Sequence, residues 1–114
     1  IENFQQNHDL KCNKMMLLGA SAGAQFCQRF AMWKPDKCLS CATYAAGGSI
    51  EFSQGSRVKF FVGIGTKDTN RLGFARDFRD SGGRFGVRVE YKEYPIGHDM
   101  PREFITDALR FLAR

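Results

Sequence analysis

Gly19-Ala20-Ser21-Ala22-Gly23 sets a serine between two glycines in the pattern G-x-S-x-G. A chain needs this arrangement where a strand turns straight into a helix and presents a hydroxyl at the bend. Such a bend holds the serine backbone in a sparsely populated conformation, at a cost of about 1–3 kcal/mol. Side chains two residues to either side would collide, which accounts for both Gly19 and Gly23. The hydroxyl then stands clear of the sheet. The following amide, that of Ala22, falls at a helix N-terminus, where developing negative charge is favoured. The chemistry this implies is attack on a carbonyl, with Ser21 as nucleophile and the Ala22 N–H as an oxyanion donor. The competing reading is a tight packing turn of small residues.

A serine nucleophile needs a base, and a base needs an orienting group. His98, in Tyr94-Pro-Ile-Gly-His-Asp99, is a loop histidine preceded by glycine. An imidazole, titrating near 6.5 in water, is suited to take the serine proton. Asp68, in Gly63-Ile-Gly-Thr-Lys-Asp68, would hold the ring in one tautomer and stabilise its charged form. Alternatively it is a turn or helix-capping aspartate. Glu51 is a rival acid on the same rim, and Asp99 is better placed to start the next helix than to orient its neighbour. His8 lies before the serine motif and reads as a surface residue.

These residues need a scaffold that gathers them. Met15 to Leu18 is a short apolar run ending at Gly19, as expected of a strand covered on both sides. Ala22, Phe26, Phe30 and Trp33 recur at helical spacing, which predicts a helix burying that stripe before Pro35. Residues 38–45 predict a second strand and 58–64 a third. Leu72, Phe74, Ala75 and Phe78 predict a helix ended by Ser81-Gly82-Gly83. Residues 87–92 alternate and predict a half-exposed edge strand. Pro101 suits the first turn of a last helix, with Phe104, Ile105, Ala108, Leu109 and Leu112 inward. Residues 1–10 have the pattern of a helix end. The fold class is therefore α/β, a parallel sheet of about four strands with helices on both faces. Sites in such sheets gather at the carboxyl ends of the strands. Ser21, Asp68 and His98 all follow strands directly.

Gly-Ala-Ser-Ala-Gly-Ala-Gln-Phe (19–26), Val-Gly-Ile-Gly-Thr-Lys-Asp-Thr-Asn (62–70) and Tyr-Pro-Ile-Gly-His-Asp (94–99), in the order Ser, acid, His, resemble the α/β-hydrolase superfamily. The likeness is to its lidless branch, around polyhydroxybutyrate-depolymerase-like and dienelactone-hydrolase-like enzymes and related peptidases. Dienelactone hydrolases carry Cys where this chain has Ser21. The resemblance implies a carboxylic-ester or amide hydrolase working through an acyl-enzyme, with a small-molecule or polymeric ester as substrate. It also implies that 1–114 is the C-terminal half of the fold. Strands before the serine turn, and the loop giving a second oxyanion amide, would lie upstream. The alternative is a catalytically inert interaction module on the same fold. A further consequence is that these 114 residues by themselves would be poorly soluble or nearly inactive.

Composition narrows the remaining classes. With 43% hydrophobic and 25% charged residues, the chain has a globular make-up. Its 17 Lys and Arg against 12 Asp and Glu give +5. The basic residues are scattered among acids, which points to a solvated surface and not to nucleic acid. No apolar run is long enough to span a bilayer, and Ile1 to Phe4 lacks the pattern of a signal peptide. Cys38-Leu-Ser-Cys41 matches C-x-x-C. On a strand, though, residues three apart point to opposite faces, so buried free thiols are expected in place of a redox or zinc pair. Neither cofactor nor metal is implied.

Overall fold

The computed structural model describes residues 14–48 and 50–114. The helix end expected over residues 1–10, together with His8 and Cys12, lies outside the described residues. Strand β1 (Met15–Ala20) leads through Ser21 into helix α1 (Ala22–Trp33), and a 3-10 turn (Pro35–Lys37) delivers the chain to β2 (Cys38–Tyr44). Strand β3 (Lys59–Gly65) is followed by α2 (Thr69–Arg84), β4 (Val89–Tyr94) and α3 (Arg102–Ala113). The strands pair in the order β1-β2-β3-β4, every neighbour parallel. This is the expected sheet.

Alternation along the strands divides the layers. Thr43 of β2 meets Gln28 of α1 in a buried hydrogen bond of 2.9 Å. Phe60 of β3, on the same face as Thr43, packs edge-on against Phe78 of α2 at 5.3 Å between ring centroids. The opposite face carries Tyr44 and Phe61, which pack on Phe104 of α3 at 5.1 and 5.6 Å. Helices α1 and α2 therefore share one face and α3 covers the other. Such aromatic clusters bury large areas, at about 25 cal/mol per Å² of apolar surface.

Several expectations need correction. Strand β1 is not covered on both sides, since Met15, Met16 and Leu18 are exposed, and Leu109 of α3 faces solvent instead of the core. The stripe of α1 predicted to be core is largely turned outward: Phe26 is 65% and Trp33 71% exposed, and only Phe30 of the four packs, partly buried, against the core. The buried residues are Ala24, Cys27, Gln28 and Ala31. These also recur at helical spacing, and their small side chains let the helix lie close on the sheet directly after the turn. Gly82 and Gly83 do not end α2 but lie within it. A Cβ at Gly82 would sit 2.5 Å from a Val89 methyl, so the glycine allows helix and strand to approach. The residue with positive φ after the helix is Gly86. Finally, β4 begins at Val89, with Val87 held instead by a hydrogen bond from its N–H to the Gly82 carbonyl.

Cys27, Cys38 and Cys41 are buried free thiols. Burial is the main cause that pushes the Cys41 thiol well above its ordinary range, with Cys27 and Cys38 adding to it. A thiol so held is poorly nucleophilic.

Candidate active site

Ser21 joins β1 to α1 with φ 57° and ψ −120°, a conformation that L-residues avoid. The turn is held by the Ser21 N–H donating to the Tyr44 carbonyl at 2.9 Å, and by the Gln25 N–H donating to the Ser21 carbonyl at 3.2 Å. A Cβ at Gly19 would lie 2.6 Å from the Gly23 carbonyl oxygen, whereas one at Gly23 would meet nothing within 4 Å. The steric reason expected for both glycines thus holds for Gly19 alone. The side chain of Ser21 makes no capping bond to α1. Ala22 opens the helix, so its N–H belongs to the first turn, where intrahelical acceptors are missing.

The Ser21 hydroxyl lies 3.0 Å from His98 Nε2, and His98 Nδ1 lies 2.8 Å from Asp68 Oδ2. An ionised carboxylate can only accept. The consistent assignment therefore has Nδ1–H donating to Asp68 and Nε2 accepting from the Ser21 hydroxyl. The imidazole is 39% exposed and the Asp68 side chain 4%. The outer member is open to solvent and its anchor is not.

Asp68 occupies the N-cap position of α2, yet its side chain makes no capping bond to the backbone amides of that helix. Its carbonyl accepts the Arg71 and Leu72 amides, both at 3.0 Å. The carboxylate is left for two other groups, His98 on Oδ2 and Arg71 Nη1 on Oδ1 at 3.3 Å. Glu51 is elsewhere. It is exposed, and among the described residues its charge partner is Arg84 at 3.9 Å, at the far end of α2 from Asp68. Asp99 is exposed, and α3 begins at Arg102 with Pro101 as its cap residue and no side-chain capping bond.

The loop carrying His98 is tied down by the Lys67 N–H to the Ile96 carbonyl (2.9 Å) and by the Tyr44 hydroxyl to the Gly97 carbonyl (3.0 Å). A Cβ at Gly65 would run into the Ile96 and Gly97 carbonyl oxygens. Glycine at the end of β3 therefore lets the loop fold back toward Ser21. Tyr44, Arg71 and Gly65 were not among the residues singled out from the sequence. The available signals were that Tyr44 and Gly65 end strands on the rim, and that Arg71 stands one helical turn after Asp68. An open apolar groove of about 530 Å³ runs beside Ser21 along α1, lined by Ala22, Gln25, Phe26, Arg29, Phe30 and Trp33.

Among the described residues no group of three or more His, Cys, Asp or Glu is placed to hold a metal ion. Among them, too, no helix is long and apolar enough to cross a membrane.

No family model matches the chain, and no curated protein does. Solved structures do. A carboxylesterase from Mesorhizobium loti superimposes with a TM-score of 0.78 at 18% identity, over 98% of this chain and 55% of that one. FphF, a fluorophosphonate-binding serine hydrolase of Staphylococcus aureus, gives 0.76 at 16% identity, over 99% of this chain and 60% of that one. The S-formylglutathione hydrolase FrmB of the same organism gives 0.65 at 16% identity, over 98% of this chain and 54% of that one. The likeness shows the fold, which is that of the α/β-hydrolases. The chain spans about half the length of the solved structures it matches.

Proposed function

We propose that this chain is the triad-bearing part of a serine hydrolase that cleaves a carboxylic ester, or an amide, through an acyl-enzyme on Ser21. The observation that carries the reading is the unbroken hydrogen-bond path from a strained Ser21 through His98 to buried Asp68. Each residue comes from a different strand end. A packing turn requires no imidazole at the serine, and a capping aspartate would spend its carboxylate on the backbone amides of its helix. The fold shared with a carboxylesterase and a serine hydrolase supports the same class.

In this reading Ser21 Oγ attacks the substrate carbonyl carbon as His98 Nε2 accepts the hydroxyl proton. The tetrahedral oxyanion is received by the Ala22 N–H, and a second donor comes from residues preceding β1. One such donor contributes about 3–4 kcal/mol to the transition state. Collapse expels the alcohol or amine, protonated by His98, and leaves an ester on Ser21. Water, deprotonated by the same imidazole, then releases the acid. Asp68 holds Nδ1–H and stabilises the imidazolium that forms twice in the cycle. In this proposal residues 1–114 form part of one α/β-hydrolase domain.

A fluorophosphonate probe added to the full-length protein tests this directly. Ser21 is expected to be labelled, Ser21→Ala to be blank, and His98→Ala to label at least about 10³-fold more slowly. Absence of labelling in the unmodified protein would overturn the reading in favour of an inert interaction module.

A further inference from the structure

Tyr44 is the last residue of β2, and its side chain is fully buried. Its backbone carbonyl accepts the N–H of Ser21, and its hydroxyl donates to the Gly97 carbonyl, in the peptide that joins Gly97 to His98. One residue thereby reaches both ends of the Ser21–His98 pair, by its backbone at the serine and by its side chain, across 53 positions of sequence, at the histidine. We propose that Tyr44 is a positioning residue, whose hydroxyl holds the His98 loop so that the imidazole remains within hydrogen-bond reach of Ser21. The inference rests on the serine-hydrolase reading above.

The loop needs such a tether. Pro95, His98, Asp99 and Met100 are exposed, and Gly97 adds backbone freedom next to the histidine. Among the described residues, the bond from Tyr44 is the one hydrogen bond made by the Gly97 backbone, and the His98 backbone makes none. Beyond Gly97 the chain is next fixed at Pro101, whose carbonyl accepts the Phe104 amide. The imidazole's own bond to Ser21 must break and re-form in turnover, and the bond that persists, to Asp68, cannot by itself hold the loop behind the ring in place. The hydroxyl can. Burial, and then the negative charges of Asp68 and Asp99, push its pKa up, so it stays a donor throughout the range in which an imidazole works as a base.

The competing role for Tyr44 is packing alone, since its ring lies 5.1 Å from that of Phe104 and 6.2 Å from that of Tyr94. Tyr44→Phe keeps those ring contacts and removes only the hydroxyl. In the full-length protein, with p-nitrophenyl acetate as substrate, kcat and the rate of fluorophosphonate labelling are expected to fall about 10-fold, with KM within about twofold. The amide resonances of Gly97 and His98 should shift or broaden, while those of Phe104 and Ile105 on α3 stay in place. Labelling of Tyr44→Phe at the wild-type rate would overturn the proposal while leaving the serine-hydrolase reading intact. A slower rate with unmoved Gly97 and His98 resonances would overturn it as well. Failure of the unmodified protein to label would remove both. Should Tyr44→Phe not fold, the wild-type protein still decides. A slowly exchanging Tyr44 hydroxyl proton with a nuclear Overhauser contact to the His98 amide is expected, and its absence counts against the tether.

Discussion

Asp68 has two carboxylate oxygens and a different partner on each, His98 at 2.8 Å and Arg71 at 3.3 Å. Arg71 stands in the first turn of α2, and its Nε is buried without a hydrogen-bond partner among the described residues. That atom gains nothing from solvent, so the guanidinium is placed by packing and by Asp68. Removing it frees one side of the carboxylate to rotate away from the imidazole. Arg71→Ala is expected to lower kcat about 3- to 10-fold with little change in KM, the size of one charge-assisted hydrogen bond that is partly open to water. Arg71→Lys should recover only part of the loss, because a lysine cannot reproduce the planar donor array. Glu51→Gln, remote from the site and paired with exposed Arg84, should leave steady-state kinetics unchanged.

At the scale of elements, the edge strand β4 is coupled to α3 through Asp107. Its Oδ2 accepts from Lys92 Nζ at 2.8 Å and from the Tyr94 hydroxyl at 2.7 Å. Those two bonds, Lys92 first, hold the Asp107 carboxyl below its ordinary 3.8. A carboxylate depressed in the folded state contributes stability that is complete above the unfolded value and is lost as pH falls through the folded one. At pH 7 the contribution is therefore present in full. Asp107→Asn should destabilise by about 1 kcal/mol there, given its partial exposure. The gap between variant and wild type should close as pH drops below 3.8 in thermal melts followed by circular dichroism. The other end of the sheet is built differently. The outer edge of β1 is unpaired among the described residues, and Met15, Met16 and Leu18 are exposed. Beside it the outward face of α1 presents Phe26 and Trp33 to solvent.

For the whole molecule, that contrast sets an expectation about residues 1–114 on their own. Charged pairs such as Arg88–Glu90 and Lys92–Asp107 screen the β4 edge, which discourages further pairing there. Among the described residues the β1 edge has no such protection and carries apolar side chains, a combination that favours self-association. The solved structures with this fold are close to twice as long. In the proposed domain the additional residues supply both the neighbour of β1 and the second oxyanion donor. The isolated 114-residue chain is therefore expected to elute as multimers in size-exclusion chromatography. It should hydrolyse p-nitrophenyl acetate about 10²–10³-fold more slowly than the full-length protein. A monomeric chain with enzyme-like turnover would contradict the expectation.

Local sequence determined the order and type of the elements here, because backbone hydrogen bonding imposes its own period on the side chains. Apolar runs at Met15–Leu18 and Val58–Ile64 became strands, and the helical spacing of Phe104, Ala108 and Leu112 became α3. It also put Ser21, Asp68 and His98 after β1, β3 and β4 of one parallel sheet, so their meeting on one rim followed from topology. Tertiary structure alone decided which of two helical stripes on α1 would face inward. Both have the right period, and the close approach imposed by the tight turn selected the smaller residues. It also decided what holds the site together. The contacts of Tyr44 with Gly97 and of Gly65 with the His98 loop join distant parts of the chain, and periodicity within one segment carries no record of what packs against it from another.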